Sequence, residues 1–182
     1  MKLINTKIKD LLLIKPDLYK DTRGFFFERY NQKKYSRILK KKFVQDNHSK
    51  SSKNVLRGLH LQTKPFEQGK LVSVIKGKIL DIAVDLRFDS KTFCKHQKFI
   101  LSASNMYQLW IPEGFAHGFL SLEKNTEVIY KTTNYYSKKN DITVKWDDSD
   151  LNINWQIKKP LLSDKDKNGI TIKKFNELFY RN

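Results

Sequence analysis

The chain has 182 residues, and 36 Lys and Arg against 19 Asp and Glu give it a formal net charge of +17. That length fits one domain, residues 1–182, and 12 Phe, 8 Tyr and 3 Trp exclude a disordered chain. A single cysteine, Cys94, excludes an internal disulfide framework and any cysteine-rich zinc site. No apolar run approaches the roughly 18 residues of a membrane span. Lys7, Lys9 and Asp10 interrupt the amino terminus before a signal-peptide core can form. The expectation is a cytoplasmic protein with no membrane partner.

In chain order, the first predicted element is a short helix over residues 31–40. It carries the densest basic stretch, Lys33, Lys34, Lys40, Lys41 and Lys42, which reads as a solvated outer face. Residues 71–75 form a strand, Lys76-Gly77-Lys78 a turn, and residues 79–86 a second strand. In that second strand, alternation puts Leu80, Ile82, Val84 and Leu86 on one face. Ile79, Asp81, Ala83 and Asp85 share the other, so one face is apolar and its opposite carries two carboxylates. Further strands are predicted over 98–101, 106–111, 118–122, 127–133 and 143–146, and a C-terminal helix over 174–179. Short strands with turn signals between them predict a mainly β protein, a closed or sandwiched antiparallel sheet with few helices.

The charge is lysine-rich, with 30 Lys and only 6 Arg. Nucleic-acid readers favour arginine, whose planar fork grips phosphate and guanine. No nucleic-acid partner is therefore expected, and the few arginines carry more information than the many lysines.

Two clusters carry chemistry. The first is Arg57-Gly58-Leu59-His60-Leu61-Gln62, followed by Gly69-Lys70-Leu71-Val72 and Gly77. The second runs from Ile111-Pro112-Glu113-Gly114 through Phe115-Ala116-His117-Gly118-Phe119. Together they resemble the two boxes of the cupin family, which implies a jelly-roll barrel. His60 takes the first box's first His position and His117 the second box's. Gln62 stands where the second His would be, and Lys70 where a metal cupin has its carboxylate. A lysine in that place repels a divalent cation. Glu67 is a poor displaced ligand, so no metal is expected. The ammonium can itself stabilise charge developing on a substrate oxygen, leaving His60 to move protons.

A longer ordered set narrows the resemblance. It comprises Asp21-Thr22-Arg23-Gly24-Phe25-Phe26-Phe27-Glu28, Gln45-Asp46-Asn47, Asp85-Leu86-Arg87, Tyr130-Lys131-Thr132, Tyr135-Tyr136 and Leu162-Ser163-Asp164-Lys165-Asp166. With the clusters above, these stretches are similar to the dTDP-4-dehydrorhamnose 3,5-epimerase family of metal-free cupins over about 145 residues. The resemblance implies epimerisation of a dTDP-4-keto-6-deoxy sugar at C-3 and C-5 through an enolate, with no redox cofactor. It implies a homodimer whose nucleotide contacts cross the interface. It makes His60 the base, Asp166 its partner, Tyr130 the acid on the opposite face and Lys70 the enolate stabiliser. Arg23, Phe26, Glu28, Gln45, Asn47, Arg57 and Lys165 fall at the nucleotide end, Tyr136 in the sugar pocket and His117 on the site wall.

Three departures stand out. Lys91 replaces a proline in Asp89-Ser90-Lys91-Thr92-Phe93. Trp146-Asp147-Asp148-Ser149 lacks a proline, and Asp141 replaces a common Glu. From the residues alone, blander readings remain: His60 a hydrogen-bonded strand histidine, Asp166 a helix cap, Tyr130 a packed phenol, Arg23 and Arg57 surface ion pairs, Glu28 a solvated carboxylate. Three functions compete: an epimerase acting at both carbons or one, a metal-dependent cupin, and a non-catalytic carbohydrate- or nucleotide-binding barrel.

Overall fold

The structure is a computed structural model describing residues 1–180; Arg181 and Asn182, the end of the expected 1–182 domain, lie outside the described residues. The first strands are β1 (Lys2–Asn5), β2 (Leu12–Lys15), β3 (Tyr19–Asp21) and β4 (Gly24–Phe26), followed by helix α1 (Gln32–Leu39). Strands β5 (Gln45–Ser51), β6 (Leu56–Gln62), β7 (Lys70–Lys76), β8 (Lys78–Asp85) and β9 (His96–Ser102) come next. Then follow β10 (Gln108–Ile111), β11 (Phe115–Ser121), β12 (Thr126–Thr132) and β13 (Asp141–Thr143), and helices α2 (Asp164–Lys167) and α3 (Ile172–Phe179) close the chain.

Among the described residues, two main sheets face each other. One has the order β1-β2-β10-β7-β12-β5 and the other β13-β6-β11-β8-β9, while β3 and β4 form a separate hairpin. This is the expected mainly β, jelly-roll architecture, although the hydrogen-bond ladder does not close into a continuous barrel. Val72, Val74, Leu109 and Val128 of the first sheet meet Ile79, Ala83, Leu101, Phe115 and Phe119 of the second in a shared core.

Each sheet also buries its outer face. Helix α1 begins where the Asn31 side chain accepts the Lys34 N–H, satisfying one of the free donors of a helix start. Its Tyr35 and Leu39, one turn apart, pack on Ile14, Leu71 and Trp110 of the first sheet. The basic residues Lys33 and Lys34 face solvent, as expected. Leu80, Ile82 and Val84 of β8 pack outward on Leu151, Trp155, Ile172 and Phe175 of the C-terminal region. The apolar face read from the sequence is thus covered by the chain's own tail. The face bearing Asp81 and Asp85 is buried as well, both carboxylates being fully enclosed.

The predicted central strands and both predicted helices are present, with ends moved by a few residues. The strand expected at 143–146 is shifted: it runs Asp141–Thr143, because Val144 leaves it to bridge Ile170. The N-terminal strands were not visible in the apolar pattern. Gln45–Ser51 contains no large apolar residue at all, since a strand lining a wet cleft needs no apolar face.

Two parallel bridges pin the C-terminal tail beside β6 and β13. Leu56 N–H donates to the Leu161 carbonyl at 3.0 Å, and Lys145 N–H donates to the Ile170 carbonyl at 2.8 Å. The segment between those anchors contains α2, so its position against β6 is fixed at both ends.

Candidate active site

Register places the candidate residues on facing surfaces. On the first sheet, Tyr130 lies between Asn47 and Val72, and Thr132 lies between Gln45 and Lys70. Cross-strand neighbours share a face, so Gln45, Asn47, Tyr130 and Lys70 point to the same side. On the second sheet, Thr143, His60, His117 and Ala83 form one row across β13, β6, β11 and β8. A register shift between His117 and Phe119 lets β6 put Arg57 on the same face as His60, three residues on. Gly58 sits inside that irregularity at φ +119°, where a Cβ would lie 2.5 Å from the Gly118 Cα. Only glycine permits this close approach.

Helix α2 delivers Asp166 to His60. Ser163 caps the helix, accepting the Asp166 N–H at 3.2 Å, and its hydroxyl donates to Asp166 Oδ2 at 2.7 Å. Asp166 Oδ1 lies 2.6 Å from His60 Nε2 and also accepts the Gly58 N–H at 3.3 Å. A carboxylate only accepts, so it fixes the imidazole proton on Nε2 and leaves the Nδ1 lone pair free to take a proton. Burial pushes the His60 imidazole below its ordinary 6.5, while Asp166 pulls it back up. Burial works to raise the Asp166 carboxyl, but the hydrogen bonds from His60 and Ser163 outweigh it and hold it low. Both groups therefore rest in the state a base needs, a neutral imidazole backed by an ionised carboxylate.

Lys70 crosses from the first sheet and donates from Nζ to the His60 carbonyl at 3.2 Å. Only 8% of it is exposed, and burial pushes its ammonium down to about 8, against the pull of Asp141 and Asp81. The Tyr130 phenol is raised by burial and by Asp141 and lowered by Arg57. It stays protonated near neutral pH and is able to give a proton. The Arg57 guanidinium donates to Ser51 Oγ and to the Lys50 carbonyl, both at 3.1 Å, and so bridges from β6 to β5. Gln45 donates to Asn47 Oδ1 at 3.0 Å, joining the two amides expected to read a base.

His117 is 7% exposed, and its Nε2 lies 2.9 Å from the fully enclosed Asp81. It is the cross-strand neighbour of His60. Tyr136 is exposed, and its hydroxyl donates to Asp141 Oδ2 at 3.0 Å. Lys165 also donates to Asp141 Oδ2. Gln62, in the place of a cupin histidine, anchors a loop: it donates to the Phe66 carbonyl and accepts the Ser137 N–H. Asp141 is the residue that sequence reasoning passed over, marked there only as a shorter replacement for Glu.

Three candidates stand apart from this cleft. Arg23 is paired with Asp21 inside the β3–β4 hairpin, Phe26 is 70% exposed on it, and Glu28 bonds Asn31 and Lys34 beside α1. Among the described residues, none of the three bonds a member of the His60 cluster. A separate groove of about 1030 Å³, which includes Glu67, Arg87, Phe88 and Phe175, opens elsewhere and contains none of the candidate residues.

The donor set does not fit a metal ion. The Lys70 cation stands where a carboxylate ligand would be needed, and Gln62 stands in place of a second histidine of the first box. Among the described residues, no group of three His, Cys, Asp or Glu is placed to hold a cation.

Comparison with known proteins follows the same lines. Residues 5–174 match the family model described as dTDP-4-dehydrorhamnose 3,5-epimerase. The enzyme of that name from Shigella flexneri is 52% identical over 171 residues, covering 93% of this chain and 94% of the relative. The crystal structure of dTDP-4-dehydrorhamnose 3,5-epimerase from Elizabethkingia anophelis superposes with a TM-score of 0.92 at 47% identity, covering 97% of this chain and 98% of that one. The dTDP-6-deoxy-D-glucose-3,5-epimerase of Legionella pneumophila, in complex with dTDP-4-keto-L-rhamnose, gives 0.90 at 43% identity, covering 94% and 93%. The facing sheets, the carboxylate-backed His60 and the lysine in the metal position are thus those of a chain that belongs to the dTDP-4-dehydrorhamnose 3,5-epimerase family.

Proposed function

We propose that this protein epimerises a dTDP-4-keto-6-deoxy-hexose at C-3 and C-5. The observation that carries the reading is His60 on one sheet, backed by Asp166 of α2 and touched through its carbonyl by the Lys70 ammonium, with the protonated Tyr130 on the inner face of the opposing sheet. A 4-ketone acidifies the C–H bonds at its two neighbours. Inversion requires a base on one side of the carbon and an acid on the other, and two opposed sheets supply that placement.

His60 Nδ1 takes the proton from C-3 or C-5, and Asp166 stabilises the imidazolium that forms. Charge moves onto the ketone oxygen as an enolate. Lys70 meets that charge in a buried place, where a fixed cation acts more strongly than in water. Tyr130 returns a proton to the opposite face. His117, held by Asp81, forms the floor, and Tyr136 borders the sugar. At the nucleotide end, Arg57 and Lys165 face the pyrophosphate, and Gln45 and Asn47 the base.

Arg23, Phe26 and Glu28 complete this set from a second copy of the chain. The β3–β4 hairpin extends no main sheet and exposes Tyr19, Phe25 and Phe26, which suits an arm that reaches another subunit as a homodimer. Among the described residues, no helix is long and apolar enough to cross a membrane. The half-buried Cys94 thiol fits a reducing compartment, the cytoplasm.

In D2O, the enzyme is expected to wash deuterium into both C-3 and C-5 of a dTDP-4-keto-6-deoxy sugar, followed by NMR. Exchange at one carbon alone identifies a monoepimerase, and exchange at neither removes the reading. His60→Ala is expected to lose 10²-fold or more in turnover while keeping its dTDP affinity by calorimetry. A binding module would show no turnover to lose.

The pH profile of kcat/KM is expected to be a bell. Its acid limb lies below pH 6.5, where His60 takes up a proton and ceases to be a base. Its basic limb lies near pH 8, where Lys70 loses its charge. The absence of a basic limb between pH 6 and 10 would contradict the Lys70 assignment, and an acid limb above pH 6.5 the His60 assignment.

Mixing two crippled variants tests the hairpin. Arg23→Ala and His60→Ala chains, unfolded together and refolded, are expected to regain activity above the sum of the two alone. The mixed dimer then holds one site with both residues intact. No regain would return Arg23 to its own chain.

A further inference from the structure

We propose that Asp141 is a positioning residue of this cleft: it clamps Tyr136 and Lys165 across the mouth and supplies the negative charge that balances Lys70. The inference rests on the epimerase reading and adds a residue to it.

Asp141 opens β13 and pairs with Gln62, two residues from the His60–Thr143 pair. It therefore lies on the His60 face, one alternation further along the strand. Its side chain is 9% exposed, yet Oδ2 receives two donors from different parts of the chain. One is the Tyr136 hydroxyl at 3.0 Å, on the loop that follows β12. The other is Lys165 Nζ on α2, next to Asp166. One carboxylate thus joins the sugar-pocket tyrosine, the pyrophosphate lysine and the helix that backs the base. The same loop is tied down through Ser137 to Gln62 and through the Tyr136 N–H to Gln45.

The charges around Lys70 give Asp141 its second task. The His60 carbonyl of β6 accepts from the ammonium, Asp141 of β13, Asp81 of β8 and Lys165 of α2 act on it, and His117 of β11 and Tyr130 of β12 share the inner faces. Two of these are carboxylates. Asp81 is already engaged by His117, and Asp141 exerts the larger pull on Lys70. Lys165 opposes it. Removing the Asp141 charge must therefore lower the pH at which Lys70 deprotonates, and removing the Lys165 charge must raise it.

The test is kcat/KM against pH for wild type, Asp141→Asn, Asp141→Glu and Lys165→Met on a dTDP-4-keto-6-deoxy sugar. Asp141→Asn is expected to move the basic limb down by about one pH unit, and Asp141→Glu to restore it. The affinity of Asp141→Asn for dTDP is expected to hold or rise, since Lys165 is freed, whereas a collapsed cleft would lose it. Lys165→Met is expected to move the limb up, a shift that stands even if Asp141→Asn fails to fold. An unmoved limb in Asp141→Asn, or an unmoved or lowered limb in Lys165→Met, overturns the inference while an active wild type leaves the epimerase reading standing. A wild type with neither turnover nor exchange overturns both.

Discussion

The Asp166 carboxylate meets His60 across 106 residues of chain, at 2.6 Å. Much of the architecture serves that contact. The C-terminal tail is stitched to β6 at Leu161 and to the end of β13 at Ile170, and α2 is suspended between the two. Trp155 and Phe175 press the same tail onto the outer face of β8. The outer core is thus also the mount for one half of the His60–Asp166 pair. A substitution that loosens the tail is felt at the imidazole, even when it lies far from the cleft.

The cleft is built from charges that burial makes costly and their neighbours make tolerable. Each sits where its ordinary charge is opposed: a cation in Lys70, carboxylates in Asp166 and Asp141. Desolvation lowers both His60 and Lys70. That keeps the imidazole neutral near pH 7 and brings the ammonium down to about 8, close to neutral pH. A metal cupin obtains the same stabilisation from a divalent ion. In the proposed reaction one lysine takes that part, and Gln62 holds a loop.

The sequence revealed the central strands through their apolar alternation, because a strand buried on one face must alternate. It was silent on β5, whose polar residues line a cleft instead of a core. Local residues marked His60, Lys70 and Asp166, but no local rule links His60 to Asp166. Their contact depends on where the tail is anchored. The same reasoning that marked the site also marked residues that turn out to hold the fold. Asp85 gathers Arg87, Ser90 and Thr92 in a loop knot, and Asp148 accepts the Ile172 N–H at the start of α3. Asp141 was legible only as a departure from the family pattern, since its partners come from two other segments. The lysine excess has the opposite history. Its size drew attention first, yet the chemistry rests on a few cations at fixed places.

The most direct measurement is an NMR titration of the His60 imidazole in ¹⁵N-histidine-labelled protein, with its signal assigned by His60→Ala. The account predicts a midpoint below 6.5 with the proton resident on Nε2. In Asp166→Asn the midpoint falls further, because the carboxylate that favours the imidazolium is gone. A midpoint at or above 6.5, or one that Asp166→Asn leaves unmoved or raises, would contradict the account.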